Sequence, residues 1–186
     1  MQDALISILS SNKWFMRVLQ TARAVDLPDW YVGAGVIRTL VWDHLHAFQQ
    51  PTLLSDVDLA FFDPVDLSRE RDRAAQTLLQ KLMPDVPWET TNQAAVHLWF
   101  ADYFGYQVAP LASVIDAIAT WPETATSVAV KLLSNDRIQV VAPFGLEDLM
   151  NMRVRRNSTR VTTDEYHRRI MAKRIQERWP KVQILW

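Results

Sequence analysis

The sequence contains no cysteine among its 186 residues. Disulfide bonds and thiolate-built zinc sites are therefore excluded, and the chain suits a reducing compartment. No apolar run approaches the roughly 20 residues that a membrane-spanning helix needs. The first residues, MQDALISILSSNKW, lack the positively charged start of a secretory signal. These absences predict a soluble cytoplasmic protein with no membrane segment.

Hydrophobic residues, by contrast, are abundant: they make up 49% of the chain, which includes eight tryptophans. This composition is typical of a folded protein and argues against disorder. A length of 186 residues suffices for one domain with a substantial core. We expect a single domain with N-terminal helices over 1–27, a core over 28–142 and a basic helical tail over 143–186.

The formal net charge of −1 conceals an asymmetry along the chain. Residues 1–150 hold 10 Lys/Arg and 18 Asp/Glu, a formal charge of −8. Residues 151–186 hold 10 Lys/Arg and 3 Asp/Glu, a formal charge of +7. The basic tail could fold back on the acidic body, or it could attract a polyanion such as a nucleic acid.

The central stretch of the sequence runs over residues 30–63, WYVGAGVIRTLVWDHLHAFQQPTLLSDVDLAFFD. It predicts a buried strand, a Gly-Ala-Gly turn, an amphipathic helix, a loop and a second strand. Glycines at 33 and 35 can take backbone angles closed to other residues, and they let a ligand approach the main chain. The helical spacing predicts a buried stripe of Ile37, Leu40, Val41, His44, Leu45 and Phe48.

Helices and strands are predicted to alternate through the rest of the chain. Apolar periodicity predicts helices over 3–10, 12–25, 68–83, 113–121, 146–154 and 164–179, and a short one over 92–99. In the helix over 68–83 the expected inward residues are Ala74, Ala75, Leu78, Leu79 and Leu82. Strands are predicted over 86–91, 127–133 and 137–141, the last two as a hairpin. The pattern indicates an α+β (α/β-like) fold with a mixed β-sheet flanked by helices.

Three acidic residues form a candidate metal site. Asp56 and Asp58 are two residues apart on one predicted strand, so their carboxylates project from the same face. Glu89, on the next predicted strand, is the third carboxylate. Mg²⁺ prefers oxygen ligands and commonly bridges carboxylates to substrate phosphates, and two ions can share such a site.

The Gly33-Ala34-Gly35 turn is a candidate phosphate site, because backbone N–H groups at a helix N-terminus favour anions. Arg38, one turn into the helix, could pair with a phosphate. The alternative for Arg38 is an ion pair with Asp43 or on the helix face. The turn is neither a Walker A loop nor a dinucleotide fingerprint, since no Gly-Lys-Ser/Thr follows and the third glycine is missing.

Asn92, Gln93 and His97 are candidate substrate-binding residues. Two of them have a structural alternative. Asn92 could only cap the short helix. A histidine on a helix beside Trp99 is often a core residue with its polar atoms satisfied.

The order strand, Gly-x-Gly, helix and Asp-Val-Asp resembles the DNA polymerase β-type nucleotidyltransferase superfamily. More narrowly, GAGVIRTLVWDHLH, LSDVDLAFFD, WETTNQAAVHLWF and APFGLEDL resemble a bacterial nucleotidyltransferase family, from Trp30 to the C-terminus. The resemblance implies a minimal nucleotidyltransferase fold, Mg²⁺ and a nucleoside triphosphate. It assigns the metal pair to Asp56 and Asp58 and the third carboxylate to Glu89. Where the superfamily usually has a serine in the phosphate turn, Ala34 offers no hydroxyl.

Three functions follow as hypotheses. The first is Mg²⁺-dependent transfer of a nucleoside monophosphate from a triphosphate to an acceptor that is a small molecule, an RNA or a protein. The second is a nucleotide sensor of the same fold without catalysis, which Ala34 motivates. The third is nucleic-acid binding through the basic tail, which would make affinity depend on salt.

Overall fold

A mixed five-stranded sheet forms the centre of the computed structural model, which describes residues 1–186. Its strands are β1 (Tyr31–Gly33), β2 (Val57–Phe61), β3 (Trp88–Asn92), β4 (Ala129–Leu132) and β5 (Ile138–Val141). They lie in the order β3-β2-β1-β4-β5. Strands β2 and β3 run parallel, whereas every other neighbouring pair is antiparallel. The predicted α+β class, the mixed sheet and the β4–β5 hairpin are confirmed.

Helices flank this sheet, and those predicted over residues 3–10, 12–25 and 68–83 begin and end close to these bounds. The helices predicted over 113–121 and 146–154 are shorter than expected, and the one predicted over 164–179 is divided in two. The helices are α1 (Gln2–Ser11), α2 (Lys13–Val25), α3 (Gly35–Leu45), α4 (Arg69–Leu82), α5 (Phe100–Phe104), α6 (Val114–Ile118), α7 (Glu147–Met150), α8 (Thr163–Lys173) and α9 (Ile175–Arg178). A 3-10 helix (Gln93–Leu98) follows β3. The Asn12 side chain caps α2 by accepting a hydrogen bond from the Phe15 N–H at 2.9 Å. Ser68 caps α4 in the same way. No helix is long and apolar enough to cross a bilayer.

The two faces of the sheet are packed differently. Alternate residues of β2, Val57, Leu59 and Phe61, belong to a cluster of 33 buried residues that also contains side chains of α1 to α4. The opposite face carries Asp58 and Ala60, and its buried cluster has only 6 residues. Because strand side chains alternate, the same strands supply a closed core and a partly open face.

Two helices bury different residues from those expected. Of the stripe expected in α3, His44 is exposed, and Phe48 is exposed and lies beyond the end of the helix. Val36 and Trp42 are buried instead. Helix α3 packs against α1, α7 and β2, so it is covered from more than one side. Helix α4 has a narrower buried stripe: only Asp72, Ala75 and Leu79 are buried, on the side that packs against β3 and α2. Three residues of α4 that were expected to face inward are exposed, namely Ala74, Leu78 and Leu82.

The basic C-terminal segment folds back on the body, as one of the two interpretations of the charge asymmetry predicted. It is not purely helical, since strands β6 (Arg153–Arg155) and β7 (Gln183–Leu185) pair in parallel within it. Tyr166, Ile170 and Trp179 lie in the large buried cluster. The Trp179 indole meets Trp42 edge to face, with 5.4 Å between ring centroids. This segment is therefore part of the core and not a free arm.

Candidate active site

The three candidate carboxylates come from the open face of the sheet and its edge. Gly33 on β1 is the register partner of Asp58 on β2, and Asp58 is the register partner of Glu89 on β3. Asp56 lies one residue before β2. The strand pairing therefore brings Gly33, Asp58 and Glu89 into one row across three neighbouring strands. The β-sheet thus collects residues that are up to 56 positions apart in sequence.

The ionised form of the Asp58 carboxyl is disfavoured by its surroundings. Burial, and then the negative charges of Asp56 and Glu89, raise the pKa of Asp58 to about 7, against the opposing effect of Lys173 and Arg169. Carboxylate oxygens are the ligands that Mg²⁺ prefers. No three His, Cys, Asp or Glu side chains are close enough to hold a metal ion by themselves. Asp56 and Asp58 alone would leave most of the octahedral coordination of a Mg²⁺ ion to other oxygens.

The Gly33–Gly35 turn has its unusual backbone conformation at the alanine. Ala34 has φ 57° and ψ −122°, a region that L side chains rarely adopt, whereas neither glycine has a positive φ. Gly33 is required for space: a Cβ there would lie 2.7 Å from both the Ala129 Cβ and the Val128 carbonyl oxygen. The expectation that the glycines supply special backbone angles is therefore wrong at both positions.

Gly35 is the first residue of α3 and keeps a bare stretch of backbone beside charged groups. A Cβ at this position would lie 3.4 Å from Asp56 Oδ1 and 3.9 Å from Arg38 Nη2. The first N–H groups of a helix have no partner within the helix. Unused backbone donors, a carboxylate and a guanidinium therefore meet at the start of α3.

Arg38 is buried, with 5% of its surface exposed, and it makes no ion pair. The expected alternative, a pair with Asp43, is wrong because Asp43 accepts hydrogen bonds from Thr52 and from Trp179 Nε1. The Arg38 guanidinium carbon lies 5.6 Å and 5.1 Å from the ring centroids of Trp42 and Trp179. Its Nε and Nη1 have no hydrogen-bond partner. Burial lowers the pKa of Arg38 to about 10.

Sequence reasoning missed a second group of charged residues at this site. Arg169 and Lys173, on α8, lie one helical turn apart, and both influence Asp58 electrostatically. Arg169 pairs with the fully buried Glu123. Burial lowers the pKa of Lys173 to about 8, with Arg169 contributing in the same direction. The i, i+4 spacing of Arg169 and Lys173 was visible in the sequence, but only the return of α8 brings them to the carboxylates.

The three candidate substrate residues after β3 have separate environments. Asn92 is fully buried, and its side chain bonds to the backbone of Asp63, Asp66 and Ala94. His97 is half-buried, and its Nδ1 lacks a partner. Only Gln93 of the three lines a large cavity. The structural cap expected as the alternative for Asn92 is present, since its side chain accepts from the Ala94 N–H.

This cavity, which we call the aromatic pocket, has a volume of about 550 Å³ and lies between the 3-10 helix, α5, the residues before β4 and α8. Thr91, Thr120 and three arginines also line it. Its six aromatic side chains are Trp99, Phe100, Tyr103, Phe104, Tyr106 and Trp121. The Trp121 ring lies over Gly33, since a Cβ on Gly33 would be 2.8 Å from Trp121 Cη2. The pocket is therefore next to the candidate active site.

Several solved structures similar to this chain are described as CCA-adding enzymes or as the head domain of one. One is an NMR structure described as a CCA-adding enzyme head domain, with a TM-score of 0.82 and 26% identity over 97% of this chain and 94% of that chain. Two others are a CCA-adding enzyme with CTP, at TM-score 0.59 and 14% identity, and the Thermotoga maritima CCA-adding enzyme complexed with tRNA, at 0.53 and 16%.

The last two matches concern the fold alone, because their identities to this chain are low. They cover 100% and 93% of this chain, but this chain spans only 43% and 38% of those enzymes. A comparison with curated proteins gives no match. The model of a family described as nucleotidyltransferase matches residues 20–184, which include every carboxylate and glycine discussed above. The chain therefore belongs to this nucleotidyltransferase family.

Proposed function

We propose that the protein transfers a nucleoside monophosphate from a nucleoside triphosphate to an acceptor and releases pyrophosphate. The observation that carries this proposal is the surroundings of Gly35. Asp56 and Arg38 lie close to this residue, which begins α3 and has no side chain to cover the backbone. A triphosphate needs cationic groups and N–H donors, and its metal needs carboxylates. Both requirements are met within a few ångströms of one backbone position.

The triphosphate would be held by the start of α3, by the buried Arg38 and by the half-buried Lys173. Helix N-terminal N–H groups favour phosphate. Arg38 has two guanidinium nitrogens without partners, so binding a phosphate would satisfy donors that are otherwise buried at a cost. Lys173 adds a second cation near Asp56. Arg169 is less available because it already pairs with Glu123.

Asp56 and Asp58 would hold Mg²⁺, as one ion or two. When bound, the ion supplies positive charge to the phosphate oxygens and lowers the pKa of an attacking hydroxyl. The raised pKa of Asp58 supports this assignment, because crowded carboxylates gain most from a cation between them. The missing third ligand is consistent with a site that substrate phosphates and water complete.

The acceptor would approach from the β3 side, where Glu89 is exposed beside Asp58. The acceptor oxygen forms a bond to the α-phosphorus while the bond from that phosphorus to the β-phosphate bridging oxygen breaks. Pyrophosphate leaves with the electron pair, and the acceptor proton moves to the Glu89 carboxylate. Structural relatives solved with ATP, CTP and tRNA support an NTP donor and make an RNA acceptor a reasonable first choice.

The test is pyrophosphate release from each NTP in the presence of Mg²⁺ and a mixture of RNA and small-molecule acceptors. Asp56→Asn and Asp58→Asn are expected to abolish release while the circular-dichroism spectrum stays unchanged. Asp85→Asn, an exposed position in the turn before β3, is the matched control and should behave as the unmodified protein. Unchanged turnover in either active-site variant would refute the proposal.

A second candidate, a nucleotide sensor without catalysis, is favoured by one feature. Ala34 supplies no hydroxyl, and its N–H is already bonded to the Val128 carbonyl at 3.0 Å. Calorimetry with each NTP and Mg²⁺, followed by mass spectrometry of the products, separates the two functions. Binding without any transferred nucleotide, across all acceptors offered, would support the sensor.

A further inference from the structure

The aromatic pocket exposes an unusual amount of aromatic surface at its mouth. Tyr103 is 73% exposed and Phe104 is 51% exposed. Their inner neighbours hold them in place: Tyr103 meets Trp99 edge to face at 5.5 Å, and Phe104 stacks on Phe100 at 4.3 Å between centroids. A contiguous exposed apolar surface marks an interaction site or a ligand-binding groove.

The charges around the pocket favour an anion. Arg160, Arg168 and Arg169 line it, against one acidic residue, Glu165. The Glu165 carboxylate is bonded to Thr162 in the cap of α8, and Arg169 is paired with Glu123 outside the pocket lining. Neither Arg160 nor Arg168 has a salt-bridge partner.

One of these arginines is also held in place by the aromatic rings. The Arg160 guanidinium carbon lies 5.1 Å from the Phe100 ring centroid, and the Tyr106 hydroxyl donates to the Arg160 carbonyl at 3.0 Å. The pocket therefore combines flat apolar walls with a fixed cation. This combination suits a planar ring that carries a phosphate.

The position of the pocket distinguishes it from the triphosphate site. Thr91 lines the pocket and lies two residues after Glu89, so both side chains project from the same face of β3. A polar cleft that contains Glu89 also contains Thr91 and Tyr103, so the two cavities share a border. Gly35 and Arg38 line neither of them.

We propose that the aromatic pocket is the acceptor site and that it binds a ribonucleotide unit, with the base between the aromatic rings and a phosphate on Arg160 and Arg168. A ribose hydroxyl of that unit would then lie toward Glu89, as nucleotidyl transfer requires. This inference rests on the proposed function, because it names the acceptor class for the same reaction. The unit is a free nucleotide or the 3′ end of an RNA, which share this chemistry.

The experiment is calorimetric titration of AMP, and separately of a five-nucleotide RNA with a free 3′ hydroxyl. Each titration is made on protein already saturated with Mg²⁺ and a non-hydrolysable ATP analogue, which occupies the donor site. Tyr103→Ala and Arg168→Gln remove one exposed ring and one exposed charge from the pocket. Phe144→Ala and Arg137→Gln, exposed residues outside the pocket lining, are the matched controls.

Loss of one stacking ring is expected to weaken acceptor binding on the order of tenfold, with no change in affinity for the ATP analogue. Arg168→Gln should weaken it by a similar factor, more at low salt than at high salt. The control variants should bind as the unmodified protein. AMP binding alone identifies a free nucleotide, whereas tighter binding of the RNA identifies an RNA end, and either supports the proposal.

Two outcomes would overturn the inference: neither probe binds, or both bind the pocket variants as tightly as the controls. The ATP analogue gives an independent result. If the analogue binds and the pocket variants have no effect on AMP or RNA, the acceptor assignment fails and the proposed function stands. If the analogue does not bind at all, the proposed function fails. The acceptor assignment then fails with it.

Discussion

On one face of the central sheet Val57, Leu59 and Phe61 are enclosed in a cluster of 33 buried residues, whereas the other face carries Asp58 and Ala60 beside a cluster of 6. The two sets alternate along a single strand, β2. The closed face contributes apolar burial, and the open face presents charged groups. Alternation along a strand therefore separates the residues that stabilise this fold from those that we assign to its chemistry.

The difference also has an energetic side. The closed face gains free energy from every buried methylene group. The open face gathers Asp56, Asp58 and Glu89, whose mutual repulsion and partial burial oppose folding of the metal-free protein, as the raised pKa of Asp58 indicates. Substitutions on the two faces should therefore change stability in opposite directions, and only those on the open face should change activity.

The largest effect is expected for Asp58→Asn, which keeps the shape of the side chain and removes its charge. Pyrophosphate release should fall on the order of 10³-fold, because the site loses a ligand for the cation and its charge stabilisation. In EDTA, however, the variant should melt at a higher temperature than the unmodified protein. An equal or lower melting temperature at pH 8 would contradict the proposed cost of the acidic cluster.

The pH dependence of that difference follows from the raised pKa of Asp58, about 7 in the folded protein against an ordinary value of 3.8. Below the ordinary value the carboxyl is protonated in both the folded and unfolded states. As the pH rises toward 7, the unfolded state loses its proton first, so stability is lost. The melting-temperature gain of Asp58→Asn in EDTA should therefore grow from pH 4 to pH 7 and then level off.

Leu59→Ala tests the closed face one residue away. Removing this buried side chain should lower the free energy of unfolding by about 3 kcal/mol, because it leaves a cavity in the large cluster. Urea denaturation measures the loss, while turnover per folded molecule at low temperature should stay unchanged. A selective loss of turnover with normal stability would show that the faces are not functionally separate.

Lys173 offers a smaller test of the cationic side of the site. Its pKa is lowered to about 8, chiefly by burial and then by Arg169, with Arg38 acting in the same direction and Glu123 and Asp56 opposing. The ammonium is therefore lost as the pH rises through 8. Affinity for an ATP analogue should fall about tenfold between pH 7 and pH 9. In calorimetry, Lys173→Gln should bind the ATP analogue weakly at both pH values. If its affinity still falls between pH 7 and pH 9, the pH dependence belongs to another group.

The smallest effect is expected at Ala34, which borders both the sheet and α3. Its φ of 57° is strained for alanine, so Ala34→Gly should raise the free energy of unfolding by about 1 kcal/mol. Thermal melting measures this gain.

Gly33→Ala is the contrasting variant, because its Cβ would collide with Ala129 and the Val128 carbonyl oxygen. Gly33→Ala should destabilise the protein, and a neutral result would contradict the close packing of β1 on β4.

Much of the fold was predictable because its signals are local. Asn12 and Ser68 are of residue types that favour the N-cap position and lie just before apolar helical runs, and both accept a backbone hydrogen bond as caps do. The buried faces of α3 and α4 were predicted less well. Apolar periodicity indicates which side of a helix is apolar, but the neighbours that cover it determine which residues are buried, and these come from distant parts of the chain.

The candidate site divides in the same way. Asp56, Asp58, Glu89 and the Gly33–Gly35 turn were candidates from spacing and resemblance, and their roles remain predictions. Arg169 and Lys173 were not among the candidates, because no sequence pattern relates α8 to β2. Arg38 was a candidate with two interpretations. The ion pair with Asp43 is excluded only by tertiary packing, because Arg38 lies against Trp42 and Trp179 and Asp43 accepts a hydrogen bond from Trp179.

The sequence by itself determined the alternation of helices and strands, the absence of thiol chemistry and the positions of the acidic pair. These depend on residue type and on spacings shorter than one element. The tertiary structure alone decided that β1, β2 and β3 form one row of Gly33, Asp58 and Glu89, and that the basic C-terminal segment returns to them. Strand order and the docking of a distant helix depend on burial of the whole chain, which no local pattern records.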